Sequence, residues 1–346
     1  MTKRTKRLPA LALAVLMLAL AAGCGGGKRH TKTYYTWFDT VTTVTGYGST
    51  ASFEGACAIV EDTLERYHKA CDIYYQYAGT VNACDLNAVA GSGPVQAAPE
   101  LLEVLAYGKE ICAVTDGMCN IAMGSVFSLW HECREAVMNG AAPRLPDEAA
   151  LLEAARHCRI DDVLVDLEAG TAELADPDMR IDLGAVGKGF AAEKAARALE
   201  AAGYTGYALN LGGNVRTLGT KPGREAWVAG IQDPEQASES AYILRVSLEG
   251  AALVTSGSYQ RFFDFNGVRY HHIISPQTLY PKNDFLSVTI RAGDSGLADA
   301  LSTAVFNMAV DDGYNFINSL EGVEACWVLA NGDIRYSRGF RQYVLA

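Results

Sequence analysis

The chain has 346 residues, 49% of them hydrophobic, and a formal net charge of −11. That acidic balance disfavours nucleic acid and anionic membrane surfaces as partners, and the length allows one large domain or two modest ones. The nine cysteines contain no C-x-x-C pair, which argues against a zinc site.

At the N-terminus, Lys3, Arg4, Lys6 and Arg7 precede an apolar run from Leu11 to Leu20, too short for a permanent membrane span. The run ends in Leu20-Ala21-Ala22-Gly23-Cys24, small residues before a cysteine, as in the lipobox of bacterial lipoproteins. The expected organisation is a signal peptide at 1–23, a lipid-anchored tether at 24–35 and one folded domain at 36–346. A diacyl anchor on Cys24 would hold that domain to the outer side of the membrane. Removing the +4 of residues 1–23 from −11 leaves −15. A phosphate ligand of such a domain needs local help from backbone N–H groups, a lysine or a metal.

Phe53, Cys57, Val60, Leu64, Tyr67 and Cys71 follow the 3–4 spacing of one buried helical face. A second helix starts at Pro99-Glu100 and stops near Gly117, a third covers Phe127 to Val137, and a fourth covers Asp147 to His157 with Asp147 as N-cap. From residue 160 strands dominate. A hairpin is expected over 163–174, with further strands at 206–211, 226–231, 242–248 and 251–255. Arg261–Phe265 and Val268–Ile274 flank Asn266-Gly267, a strong hairpin signal. A strand at 285–291, a helix at 297–310 and a hairpin around Asn331-Gly332 complete the chain. Helices first and antiparallel strands later predict an α+β fold: a helical N-terminal half packed on a largely antiparallel sheet.

Three segments carry chemistry. "RIDLGAVGKGF" (180–190) sets glycines and Lys188 before a helix that runs to a stop at Gly203. It is neither a Walker loop nor a dinucleotide fingerprint, because both spacings fail. It suits a ligand phosphate at a helix N-terminus and suits a packing turn equally well. In the second segment, Asp299 and Thr303 stand four apart on one helical face. They offer hard oxygens fit for Mg²⁺, though a first-turn acid and a core threonine explain them too. In the third, His271 and His272 lie on a strand and point to opposite faces, so at most one faces a site.

Together these segments resemble the FAD:protein FMN transferases, the ApbE-like family. Further matching motifs are Phe38-Asp39-Thr40, Asp72-Ile73-Tyr74, Leu86-Asn87, Asp116 to Ala122, Leu211 to Asn214, Thr255 to Tyr259, His272 to Pro276 and Ala298 to Thr303. The resemblance implies an ApbE-like (T-fold-like) architecture and a 36–346 transferase domain. It implies Mg²⁺-dependent transfer of the FMN part of FAD to a Thr or Ser hydroxyl of an extracytoplasmic acceptor protein, with release of AMP. It implies cation ligation by the Ala185 carbonyl, Asp299 and Thr303, with Ser302 standing where some relatives have a carboxylate ligand. It implies FAD contacts from Phe38, Tyr74, Met118, Cys119, Asn120, Asp182, Lys188 and His272, with His272 as the candidate base. Three positions depart from the family pattern: Asn120 and Ser275 replace aspartates, and Leu279 replaces a glycine. These departures leave room for an FAD-binding lipoprotein, or an FAD pyrophosphatase, without protein transfer.

Overall fold

The computed structural model describes residues 27–235 and 242–345. The expected signal peptide and Cys24 lie outside the described residues. The chain opens with β1 (Lys28–Tyr34) and β2 (Thr42–Gly48), then α1 (Thr50–Cys71), α2 (Ala83–Ala88), β3 (Val95–Gln96) and α3 (Pro99–Val114). Next come α4 (Gly124–Met138), α5 (Glu148–Ala155), β4 (Val163–Asp166), β5 (Thr171–Leu174), α6 (Gly187–Ala201), β6 (Tyr207–Leu211) and β7 (Asn214–Leu218). Strands β8 (Trp227–Gln232), β9 (Tyr242–Leu248), β10 (Ala252–Gly257), β11 (Phe262–Phe265), β12 (Val268–His271) and β13 (Phe285–Ala292) follow. The last elements are α7 (Ser295–Asn307), α8 (Val310–Ser319), β14 (Glu324–Leu329), β15 (Ile334–Tyr336) and β16 (Val344–Leu345).

Eight strands form the main sheet in the order β1-β2-β6-β7-β10-β13-β14-β15, and every neighbouring pair is antiparallel. The α+β expectation holds. Side-chain alternation divides the core between the two faces of this sheet. Ala252 and Val254 of β10, with Ala325 and Trp327 of β14, face α7. Leu253 and Cys326, one residue out of phase, face a small β16-β9-β8 sheet through Trp227, Val246 and Leu248. On the helical side α6 packs between α1 and α7. Its alanines 191, 192, 195 and 196 are fully buried, and their small size lets both neighbours approach.

One boundary is corrected. The expected tether reached residue 35, but Lys28–Tyr34 is an edge strand in register with Thr42–Gly48. Its alternation of exposed and half-buried residues is that of a strand. Tyr34 and Lys32 both reach Glu61 on α1, at 2.6 and 2.9 Å. The structure adds α2, β2, β7 and α8 to the expected elements, and α6 starts at Gly187 rather than Phe190. Asp147 caps α5 as expected, accepting the Ala150 N–H at 3.0 Å.

Candidate functional site

The 180–189 segment is held from both sides. Asn87 of α2 donates through Nδ2 to the Ile181 carbonyl (3.0 Å) and accepts the Ile181 N–H at Oδ1 (2.8 Å). Opposite, the Asp182 N–H goes to the Ile121 carbonyl and the Gly124 N–H to the Arg180 carbonyl, both at 2.9 Å. A Cβ at Gly124 would lie 2.6 Å from that carbonyl, so glycine is what lets α4 begin here. Asp182 Oδ1 then accepts the Gly184 N–H at 2.8 Å and closes the turn into α6. Burial pushes the Asp182 carboxyl above its ordinary pKa, against the pull of that N–H and of Arg261, His131 and Arg134.

At the start of α6 the chain meets Asp299 of α7, which is 4% exposed. Asp299 Oδ2 accepts Lys188 Nζ at 3.0 Å and the Gly189 N–H at 2.8 Å, while Oδ1 stands 3.3 Å from the same ammonium. Val186 is the N-cap, so the Gly189 N–H is one of the first-turn donors that no helix carbonyl receives, and Asp299 satisfies it. Among the described residues the Ala185 carbonyl, just before the helix, accepts no hydrogen bond. The close approach needs glycine: a Cβ at Gly189 would lie 2.4 Å from Asp299 Cβ and 2.5 Å from the Ser295 carbonyl. Half-buried Thr303 lies one turn beyond Asp299 on the same face. A carboxylate, an unengaged carbonyl and a hydroxyl make a hard-oxygen donor set that fits Mg²⁺. Ser302 is turned away from this set. It is fully buried, donates to the Asp299 carbonyl (2.8 Å) and pairs with Ser256 Oγ (2.7 Å). A different cluster, His157–Asp176–Asp178, brings three possible ligand atoms within 4.8 Å, with His157 Nδ1 already bonded to Asp176 Oδ2 at 2.7 Å.

The surroundings of Asp182 are aromatic and basic. Tyr74, 56% exposed, lies 5.6 Å from the His131 ring, and Arg134 Nη2 donates to His131 Nδ1 at 2.7 Å. Burial raises the Tyr74 hydroxyl's pKa and Asp182 raises it further, while burial and then Arg261 lower that of Arg134. The exposed His272 donates Nδ1–H to the Gln260 carbonyl at 3.2 Å, since a carbonyl can only accept. That bond leaves a lone pair on Nε2. The protein mass around the ring, followed by Arg261, His271 and Arg134, lowers its pKa to about 3. His271 is buried, with Nε2 bonded to the Lys282 carbonyl and Nδ1 accepting the Ile273 N–H. Of the two histidines only His272 keeps a free ring nitrogen.

Phe38 sits 5.5 Å from His68, and its φ of 55° lies in the left-handed region. Asp39, Asp116, Arg261 and Leu279 share that conformation, so five of the seven non-glycine residues with positive φ fall in segments of the resemblance or beside them. Such strain collects at ligand sites. Leu279, which replaces a glycine, is held there by its N–H to Ser275 and by its carbonyl, which accepts Trp130 Nε1 at 2.9 Å. In the 118–120 segment Cys119 is 1% exposed, and half-buried Asn120 bonds to the Cys158 carbonyl and the Ala122 N–H. Met118 borders a hollow of about 390 Å³ with Gln277, Lys282 and Met308. That hollow is lined by none of Asp182, Lys188, His272 or Asp299. Arg134, Arg261 and His131 were not singled out from the sequence, because a charge on an amphipathic helix or in a loop has no periodic signal.

The model of the ApbE family matches residues 38–327. The chain belongs to the ApbE family. It is 36% identical over 270 residues to the FAD:protein FMN transferase of Treponema pallidum, covering 73% of this chain and 72% of that one. It is 32% identical over 251 residues to one from Klebsiella pneumoniae, covering 72% and 75%. The ApbE protein of Thermotoga maritima has a crystal structure that superposes with a TM-score of 0.79 at 26% identity, covering 92% of this chain and all of that one. The ApbE match spans both helices of the Lys188–Asp299 crossing and the His272 wall.

Proposed function

We infer that the chain is an FAD:protein FMN transferase, moving the FMN part of FAD onto another protein. We further read the acceptor group as a Thr or Ser hydroxyl, the required cation as Mg²⁺ and the leaving group as AMP. The acceptor oxygen bonds to the FMN-side phosphorus. The bond from that phosphorus to the bridging oxygen breaks, and that oxygen departs with AMP.

The Lys188–Asp299–Gly189 contact carries this reading, because it anchors a carboxylate at the start of α6, one helical turn from the Thr303 hydroxyl, where the preceding Ala185 carbonyl has no partner among the described residues. A Mg²⁺ held by those groups would neutralise pyrophosphate oxygens and stabilise the departing AMP phosphate. Lys188 supplies fixed positive potential that a domain of net −15 otherwise lacks. Tyr74 and Phe38 offer flat faces for the rings of FAD. The Nδ1–H bond to the Gln260 carbonyl leaves His272 Nε2 free to receive the proton of the acceptor hydroxyl. Attachment through Cys24 would place the reaction, and the acceptor, outside the cytoplasmic membrane.

Incubation of the detergent-solubilised full-length chain with FAD, Mg²⁺ and an acceptor domain should produce in-gel flavin fluorescence on the acceptor, lost on chelation. Free FMN and AMP without labelled acceptor would mean hydrolysis instead, and FAD recovered intact would mean a binder. Asp299→Ala should abolish metal-dependent turnover, whereas Asp178→Asn should leave it unchanged. The opposite pattern would move the cation to the His157 cluster.

A further inference from the structure

The Gly189–Asp299 contact does not stand alone. Four residues along α6, Glu193 accepts the Ser295 N–H at 2.9 Å, and Ser295 lies four residues before Asp299 on α7. One index rises as the other falls, so the two contacts are rungs, a helical turn apart, between antiparallel helices. β7 supports both rungs from beneath. Asn214 and Arg216 are alternate residues of one strand and share a face. Arg216 donates Nε to Glu193 Oε2 at 2.8 Å. Asn214 Oδ1 accepts the Ser295 hydroxyl at 2.6 Å. The Asn214 Nδ2 is buried without a partner, and it would be 3.1 Å from a Cβ at Gly189. Glu193, Arg216, Asn214 and Ser295 are 6%, 4%, 2% and 0% exposed.

As a device for stability this is a poor choice. A buried ion pair is on average no better than apolar residues of similar volume, and an unpartnered buried amide is a cost to stability. Its effect on the helix crossing is more specific. The Gly189 N–H is a first-turn donor that the helix itself leaves unpaired. A charged acceptor makes a strong bond to it, roughly twice that of a neutral one, but only where α7 is held within reach. We propose that Asn214, Arg216 and Glu193 are positioning residues for the transfer reaction. They fix α7 at the height where Asp299 takes the Gly189 N–H, which holds its carboxylate in place for the cation. None of the three touches substrate. The proposal rests on the Asp299 cation seat inferred above.

The test measures Mn²⁺ binding to the full-length chain from the free-ion electron paramagnetic resonance signal. FAD affinity without metal, the Mg²⁺ dependence of turnover and the melting temperature are measured alongside. Asn214→Ala should weaken Mn²⁺ binding about tenfold or more, the effect typical of outer-sphere partners. The half-saturating Mg²⁺ should rise in step, while metal-free FAD affinity stays within about threefold of wild type. Glu193→Gln keeps an acceptor for Ser295 and should lose less than Glu193→Ala. Should Glu193→Ala fail to fold, Asn214→Ala and Glu193→Gln decide. Wild-type Mn²⁺ affinity in both, with only the melting temperature lowered, would make the network merely structural and overturn the proposal. If Asp299→Ala binds Mn²⁺ as tightly as wild type, the cation seat itself is wrong and the positioning claim falls with it.

Discussion

A single histidine shows how surroundings set chemistry. His272 has one nitrogen tied to the Gln260 carbonyl and a pKa lowered to about 3 by the mass and positive charge around it. A histidine with a lowered pKa gains its proton only below that value, so the ring is neutral throughout pH 5–8. The activity should therefore show no inflection from this group near pH 6.5, the position expected of an ordinary histidine. His272→Gln, which keeps a hydrogen-bonding side chain but no base, should lower kcat by about 10²–10⁴ with FAD binding little changed. Single-turnover kinetics with pre-bound FAD would check this, and an unchanged rate would remove His272 from the chemistry. The adjacent His271 has the same residue type, but both of its nitrogens are bonded to the protein. Residue type alone does not separate the two. Alternation along the strand does, and only in part, because β12 ends at His271.

At the scale of elements, the site is a crossing of α6 and α7 at one glycine. Gly189→Ala sets two effects against each other. Alanine is better than glycine within a helix by about 1 kcal/mol. Its Cβ, however, would lie 2.4 Å from Asp299 Cβ and 2.5 Å from a backbone carbonyl, neither of which can swing aside cheaply. Overpacking of this kind costs about 1–3 kcal/mol, so the steric term wins. The variant should melt lower than wild type and lose metal-dependent turnover together. A Gly189→Ala protein that is more stable and fully active would show that the helices do not need this approach. The "LGGN" stretch makes the same point from below. Gly212 and Gly213, at φ of 59° and 91°, turn β6 into β7 and so aim Asn214 and Arg216 at the crossing.

Over the whole molecule, the helices that carry the site lie on one face of an eight-stranded sheet, and a three-stranded sheet covers the other face. The edge strand Lys28–Tyr34 starts only four residues after Cys24 in the sequence. Four residues reach at most about 14 Å. With Cys24 lipidated, the β1 edge would sit against the headgroups and the acceptor would have to approach close to the bilayer. Cys24→Ala should shift the protein from the membrane fraction to the soluble one on cell fractionation, without loss of turnover on a soluble acceptor. Retention of that variant in washed membranes would refute the lipid anchor.

Much of this was legible in the sequence for definite reasons. Helices long enough to show a 3.6-residue period, such as α1, and hairpins with Asn-Gly turns, such as Asn266-Gly267, declare themselves through local chemistry. The same holds for the Asp299/Thr303 spacing, fixed by the helical repeat, and for the glycines before α6. The sequence could not show that β1 is a strand, because that depends on pairing with β2. Nor could it separate Ser302 from Thr303, since facing inward or outward is decided by what packs on α7. Arg134, Arg261 and His131 are far apart or unpatterned in the chain, and only tertiary packing brings them to the wall of Asp182 and His272. Local periodicity and turn chemistry therefore determined the elements and several of the reactive side chains. The close approach of α6 to α7 at Gly189, set by contacts between residues about a hundred positions apart, decided which carboxylate meets Lys188 and the Gly189 N–H.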